Sequence, residues 1–349
     1  MQKEFAVGVL TAHLKPKYKV LNMLLGESFN APNGIDVFLD FNSFIKAMTT
    51  SKKFLQSLPF SENVEKSIVS TILFTIKHWK DYVRKYENSR IFVILNDFKM
   101  EGVYESSQIK SYLYPYVNKM ESDKFKQLTY YFEESIKRVE TIVKYIPNVY
   151  VMRCDRFDSY IIPNIIDDYS TNDKLRLIVS NNSLMTNYLY MPNCKVIYGT
   201  WSKYGIAHLS DPLMIVQKIT SIDDDIVNIF TKNKIFYNLL NMIIGDYDRG
   251  ILGITKLGIT PFATDIIRNV EQRKIPEDPK SIDTILPIIE EEYHPYLKQV
   301  YSVCDIEKHS ELIPKSYITK YKSEKMIDLL DIDGLRNISI DGLNLLELL

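Results

Sequence analysis

The feature that most constrains the fold is an alternation of short apolar runs with long amphipathic segments. Five runs have the length and composition of β-strands, at 35–39, 90–95, 149–152, 175–179 and 195–198. Helical spacing is found between them, at 61–86, 124–145 and 156–168, and everything after about residue 222 is predicted to be helical. Strand–helix–strand units join parallel strands through right-handed crossovers. The sequence therefore predicts an α/β protein with a parallel sheet flanked by helices, and a helical C-terminal part.

Polar residues stand at the ends of four of the predicted strands. Asp40, Asp97 and Asp155 follow the first three strands, and the polar loop 180–182 follows the fourth. Parallel strands end at one edge of their sheet, and ligands bind at that edge. Each single aspartate also has a simpler interpretation, as a turn residue or a helix N-cap. Together they predict a ligand site at the carboxyl edge of the sheet.

A glycine-rich segment, 245–263, lies between two predicted helices, 235–244 and 262–270. Closely spaced glycines let backbone amides approach a nucleic-acid phosphate, either directly or through a bound K⁺ ion. The alternative is an ordinary corner between two helices that end in glycine caps. The candidate DNA-binding residues are Gly250, Gly253, Thr255, Lys256, Gly258 and Thr260.

Residues 245–258 resemble the Gly-Asp-x-x-Asp-Asn-Ile-Pro-Gly-Val-x-Gly-Ile-Gly element of the flap endonuclease (5′-nuclease) superfamily, which grips the backbone of duplex DNA. Four earlier segments are similar to the acidic motifs of that superfamily, at 37–43, 92–97, 154–159 and 177–184. Within that superfamily, these segments most resemble the motifs of the phage ribonuclease H-type 5′ nucleases. The resemblance implies a PIN-like fold with a helical arch and a helix–three-turn–helix. The expected limits are 1–220 for the α/β domain with its arch at about 99–123, 221–275 for the helix–three-turn–helix, and 276–349 for a helical extension beyond the resemblance.

The superfamily hydrolyses phosphodiesters with two divalent ions that clamp the attacking and leaving oxygens. The resemblance implies that Asp40, Asp97, Asp155 and Asp158 are catalytic and hold one of these ions. Carboxylate oxygens suit Mg²⁺ or Mn²⁺.

The ligands of the second ion are replaced in this chain. Asn182 and Leu184 stand where the fourth motif has acids, Arg249 replaces the acid of the glycine-rich element, and Phe157 replaces one acid of the third motif. A guanidinium is permanently positive and repels a divalent cation. The departures therefore imply that two-metal hydrolysis is lost or weakened.

Three functional hypotheses follow from this pattern. The first is a DNA-binding phage replication or nucleic-acid-processing factor with lost or weakened hydrolysis. The second is an active Mg²⁺-dependent 5′-3′ exonuclease or flap endonuclease that uses the retained ion site. The third is a non-catalytic structural subunit of a phage nucleic-acid-handling complex. The expected partners are duplex or forked DNA, together with other phage replication or transcription proteins.

Composition limits these hypotheses only loosely. The formal net charge is −1, which excludes a strongly basic coat but leaves room for a local basic patch. A zone rich in lysine and tyrosine, including Tyr130, Tyr131, Lys137 and Arg138, either stacks on unpaired bases or packs on the protein body.

Three scattered cysteines indicate a reducing compartment. No apolar run is long enough to cross a bilayer, so we expect no membrane partner and a cytoplasmic location, in the host if the chain is phage-encoded.

Overall fold

A computed structural model gives the architecture of the protein. It describes Leu21 and residues 30–41, 63–95, 123–143, 146–154, 162–180, 183–198, 208–209, 230–231, 233–244, 259–305 and 318–322.

The centre of the molecule is one mixed β-sheet. Its strands are β1 (Ile35–Asp40), β2 (Arg90–Ile94), β3 (Val149–Cys154), β4 (Leu175–Ser180), β5 (Cys194–Tyr198), β6 (His208–Leu209) and β7 (Ile318–Lys322). Their order across the sheet is β6-β5-β4-β1-β2-β3-β7. Strands β1 to β5 are parallel, and the two edge strands β6 and β7 are antiparallel to their neighbours. The predicted α/β class with a parallel sheet flanked by helices is confirmed.

Helices connect the strands and cover both faces of the sheet. They are α1 (Asn63–Val83), α2 (Asp123–Val143), α3 (Ile162–Tyr169), α4 (Lys234–Ile244), α5 (Ile259–Glu271) and α6 (His294–Cys304). A 3₁₀ helix spans Ser183–Tyr190, and three short 3₁₀ turns lie between α5 and α6. Pro163 lies in the first turn of α3, where its missing N–H and fixed φ cost nothing.

Two sequence predictions about the helical parts need correction. The first helix was predicted to reach residue 86, but α1 ends at Val83 and residues 84–88 form a turn. The prediction that everything after residue 222 is helical is wrong at β7, where Ile318, Thr319 and Tyr321 supply the β-branched and aromatic side chains that favour a strand.

Alternation along β1 divides the core into two layers. Ile35, Val37 and Leu39 are buried with the apolar faces of α1 and α2. Phe38 points to the opposite face, where α3 to α6 and the 3₁₀ helices pack, and its ring stacks on Phe92 of β2 with centroids 4.9 Å apart. Burying each such side chain contributes about 1.5–3 kcal/mol. Because both faces are covered, β1 reads as a nearly continuous apolar run rather than as an alternating one.

A charged cluster ties the amino ends of the central strands together. Asp36 of β1 is completely buried and accepts two hydrogen bonds from Arg90 of β2, at 2.9 and 2.6 Å. Its carboxylate also accepts from the Ser170 hydroxyl at 2.7 Å and forms an ion pair with Lys174 at 3.5 Å. The Arg90 guanidinium donates in addition to the Tyr169 carbonyl at the end of α3. This cluster joins β1, β2 and α3 at the edge opposite to the carboxyl ends of the parallel strands.

The predicted arch at 99–123 lies outside the described residues except for Asp123, the first residue of α2. The described part of the C-terminal region, in contrast, belongs to the main body. Leu297 and Tyr301 of α6 are buried in the same core layer as Phe236 and Leu240 of α4.

Candidate ligand site at the carboxyl edge of the sheet

The strand order reverses direction between β1 and β4. From β1, the chain adds β2 and β3 on one side of the sheet, whereas β4 and β5 lie on the other side. The crossover helices therefore leave β1 and β4 in opposite directions, and their carboxyl ends flank a topological switch point. Open α/β sheets bind ligands at this position.

Two polar side chains meet at this switch point. Asp40 is the last residue of β1 and Ser180 is the last residue of β4. The register pairs Leu39 with Val179, which brings these two ends side by side. The Ser180 hydroxyl donates a hydrogen bond to Asp40 Oδ2 at 2.5 Å, a length typical of a hydroxyl bound to a carboxylate.

Both side chains have 0% of their surface exposed. Removing a carboxylate from water costs several kcal/mol, which hydrogen bonds only partly offset. The hydrophobic core does not require an acid at this place, since Phe38 and Leu39 already fill the two faces of β1. The burial of Asp40 at the ligand-binding position of the sheet therefore marks it as a candidate functional residue.

The other three predicted metal ligands, Asp97, Asp155 and Asp158, lie outside the described residues. The strands that lead to the first two are described, and both run parallel to β1 at this end of the sheet. A backbone hydrogen bond from the Leu95 amide to the Met152 carbonyl, at 3.1 Å, continues their pairing at the carboxyl edge. Among the described residues, no group of three or more His, Cys, Asp or Glu side chains is placed to hold a metal ion.

The glycine-rich segment is described only at its flanks. Helix α4 ends at Ile244 and α5 begins at Ile259, so two helices enclose the segment as the sequence predicts. Both helices contribute to one core layer, through Phe236 of α4 and Ile266 of α5. The candidate DNA-binding residues Gly250, Gly253, Thr255, Lys256 and Gly258 lie outside the described residues, and Thr260 lies in the first turn of α5.

The lysine- and tyrosine-rich zone is partly described by α2. Tyr130 is 61% exposed. Lys137 and Arg138 are also exposed, and Lys137 forms an ion pair with Glu134 at 2.6 Å. The hydrogen bond and charge of Glu134 raise the pKa of Lys137 above its ordinary value. This part of α2 thus carries an exposed tyrosine together with exposed basic groups.

Sequence reasoning missed the cluster around Asp36. Burial acts to lower the pKa of Arg90, but the hydrogen bonds and charge of Asp36 outweigh it, and the pKa lies above its usual value. The sequence feature that could have indicated this cluster is a charged residue near the start of several apolar runs. These residues are Asp36, the oppositely charged Arg90, and Arg176. The position of this cluster at the amino ends of the strands gives it a structural role rather than a role in the candidate site.

No protein-family model matches the chain, and a search of curated proteins returns no similar sequence. Within the parts of the chain that the structure describes, no helix is both long enough and apolar enough to cross a membrane.

Proposed function

We propose that the protein is a DNA-binding member of the flap endonuclease (5′-nuclease) superfamily in which two-metal hydrolysis is lost or weakened. The observation that carries this proposal is the buried Asp40–Ser180 pair at the switch point of the sheet. It puts the acid of the first superfamily-like motif beside the serine of the fourth.

The strand order supports the same proposal. The acids predicted to act together follow β1, β2 and β3, and these three strands are neighbours in the sheet. A carboxylate at this edge has the donor chemistry that Mg²⁺ or Mn²⁺ prefers. Such an ion, when bound by Asp40, Asp97, Asp155 and Asp158, would supply Lewis-acid stabilisation to a phosphodiester.

Binding to DNA rests on the segment between α4 and α5. Two packed helices that enclose closely spaced glycines offer backbone amides to a phosphate. Thr255, Lys256 and Thr260 would add hydroxyl and ammonium donors. A K⁺ ion bound in this glycine-rich segment would link its backbone to the phosphate. The exposed Tyr130 ring of α2 would stack on an unpaired base of a forked substrate.

The loss of hydrolysis rests on the sequence. Asn182, Leu184 and Arg249 stand where the superfamily has acidic ligands of the second metal ion. Without that ion, the negative charge that develops on one side of the in-line displacement is not stabilised. The protein would then hold DNA in a phage replication or processing complex without cutting it.

The test combines a binding assay with a cleavage assay on a 5′-flap duplex. We expect binding that weakens with salt, a uniform loss of affinity in Lys256→Glu, and no cleavage in Mg²⁺ at high protein concentration. Asp81→Asn, which removes an exposed carboxylate from α1, serves as the control for general charge effects.

Each alternative function has its own outcome in these assays. Robust Mg²⁺-dependent cleavage that Asp40→Asn abolishes and Asp81→Asn leaves intact would show an active nuclease. Absence of salt-dependent DNA binding would instead favour a structural subunit. If only the second ion is missing, the triple change Asn182→Asp, Leu184→Asp, Arg249→Asp should gain activity.

A further inference from the structure

The turn that leads into β1 contains the single Asn-Gly pair of the sequence, Asn33 and Gly34. Asn33 is exposed, whereas Gly34 is buried. The side-chain amide of an asparagine can be attacked by the backbone nitrogen of the next residue. Glycine leaves that nitrogen most accessible, because it has no β-carbon to crowd the approach. The chemistry of the chain therefore favours spontaneous deamidation at Asn33 above its other asparagines.

Both groups that react in deamidation are hydrogen-bonded in the folded protein. The attacking group is the Gly34 amide, which donates to the Ala31 carbonyl at 2.9 Å and closes a four-residue turn. The leaving group is Asn33 Nδ2, which donates to the Asp173 carbonyl at 3.4 Å. The Gly34 nitrogen loses its hydrogen in the reaction, so its bond to Ala31 has to break first. The closed turn thus opposes the attack.

The neighbouring turn between α1 and β2 holds Gly34 in place. A β-carbon built on Gly34 would lie 2.4 Å from the Glu87 carbonyl oxygen, which shows how closely the two turns approach. The next residue is tied to the same turn, since the Ile35 amide donates to the Ser89 hydroxyl at 2.9 Å. The Gly34 nitrogen therefore has little freedom to move toward the Asn33 side chain while β1 keeps its place in the sheet.

We propose that Asn33 is a deamidation site that reacts through the opened form of the turn from Ala31 to Gly34. The Gly34 nitrogen forms a bond to the side-chain carbonyl carbon of Asn33. The bond from that carbon to Nδ2 breaks, and ammonia leaves with the proton of the Gly34 amide. Water then hydrolyses the cyclic imide, which opens either to aspartate or to isoaspartate, in which the main chain runs through the former side chain.

The two products differ in their effect on the turn. Aspartate keeps the main chain unchanged and loses only the Nδ2 donor to Asp173. Isoaspartate adds one carbon to the main chain between Ala31 and Gly34, both of which are buried. The lengthened turn no longer fits its place before β1, so a brief opening becomes a permanent loss of stability. The site lies at the amino edge of the sheet, and its reaction is independent of DNA binding and of hydrolysis.

The first test measures deamidation of the full chain by peptide mass spectrometry, at mildly alkaline pH, with and without guanidinium chloride. We expect Asn33 to react at least about tenfold more slowly in the folded chain than in the unfolded chain, because reaction through an opened state follows the population of that state. Asn148 is the control within the chain. It is also exposed, but the branched side chain of Val149 crowds the attacking nitrogen.

Two results of this measurement would overturn the proposal. One is an equal rate at Asn33 in the folded and unfolded chains, which would show that the turn gives no protection. The other is a rate at Asn33 in the unfolded chain that is no higher than the rate at Asn148.

The second test compares the parent with Asn33→Gln after incubation in guanidinium chloride and refolding. Glutamine keeps the carboxamide but places it one methylene further along the side chain, so the cyclic imide forms more slowly. We expect the incubated parent to contain an isoaspartate-bearing fraction with a lower midpoint of urea unfolding, and the variant to lack it. An isoaspartate-bearing fraction that unfolds at the midpoint of the fresh parent would overturn the proposed loss of the turn.

Discussion

Replacing Gly34 with alanine should destabilise the protein, because the turn before β1 leaves no room for a β-carbon. Gly34 has a φ of 89°, in the left-handed region that costs an L-residue about 1–2 kcal/mol. A β-carbon there would lie 2.4 Å from the Glu87 carbonyl oxygen and 2.8 Å from the Asn88 carbonyl carbon. Both are backbone atoms of the turn between α1 and β2, so no side-chain rotation relieves the contact.

The size of the expected destabilisation follows from the hydrogen bonds that the turn would lose if it moved. Ser89 holds it against β1, since its hydroxyl accepts from the Ile35 amide at 2.9 Å and donates to the Tyr86 carbonyl at 2.9 Å. Each such hydrogen bond contributes about 0.5–1.5 kcal/mol. The lower entropy of an unfolded alanine variant returns about 0.4–1 kcal/mol. Gly34→Ala should therefore lower the free energy of unfolding by about 1–3 kcal/mol.

Urea unfolding followed by tryptophan fluorescence, to which the buried Trp79 contributes, measures this loss as a lower midpoint. Gly34→Asn is the matched variant, because asparagine tolerates the left-handed conformation but brings the same β-carbon. The unfolding midpoint of Gly34→Asn should lie between those of the parent and of Gly34→Ala. Asn33→Ala, at an exposed position of the same turn, should change little. A free energy of unfolding for Gly34→Ala within about 0.5 kcal/mol of the parent would refute the reasoning.

Three further predictions follow from buried and exposed groups of the described residues. Asp36→Asn should cost about 3–5 kcal/mol in urea unfolding, because it leaves the Arg90 charge without its buried partner; a loss below about 1 kcal/mol would contradict this role. Burial raises the pKa of Cys194 to about 11 from 9.0, so the folded state keeps its proton where the unfolded thiol loses it, and stability should fall as pH rises from about 9 to 11 by up to about 3 kcal/mol. Cys194→Ala should lose less over that window, and equal losses in both proteins would argue against the shift. Tyr130→Ala should leave the unfolding midpoint unchanged while weakening binding to single-stranded DNA by about 1–3 kcal/mol; unaltered binding in a titration would remove this ring from the proposed interface.

The central strands were predictable because both faces of the sheet are covered. Each of β1 to β5 is a short apolar run bounded by turn residues, and the five predicted runs match the strands to within two residues. The two edge strands were not predicted from the sequence, and this also has physical reasons. Strand β6 has only two residues, and β7 is a polar run whose pairing with β3 depends on a partner far away in the chain.

The candidate site was predictable only in part. A strand that ends in aspartate identifies Asp40, but its hydrogen bond to Ser180 depends on β1 lying beside β4. Hydrophobic periodicity predicts strands without giving their order in the sheet. The sequence also gives no sign that Asn238 of α4 is 0% exposed, since an asparagine in a helical pattern ordinarily indicates the exposed face.

The pairing of β3 with β7 has a consequence for the order in which the protein can be completed during synthesis. Strand β3 ends at Cys154 and its edge partner begins at Ile318, roughly 160 residues later. At about 5–20 residues per second, the ribosome needs roughly 10–30 s to make the intervening chain. For that time one edge of β3 lacks the strand that covers it in the finished sheet, and an open strand edge is a template for pairing with other chains. The nascent protein is therefore most exposed to aggregation after its parallel strands exist and before its last described strand emerges.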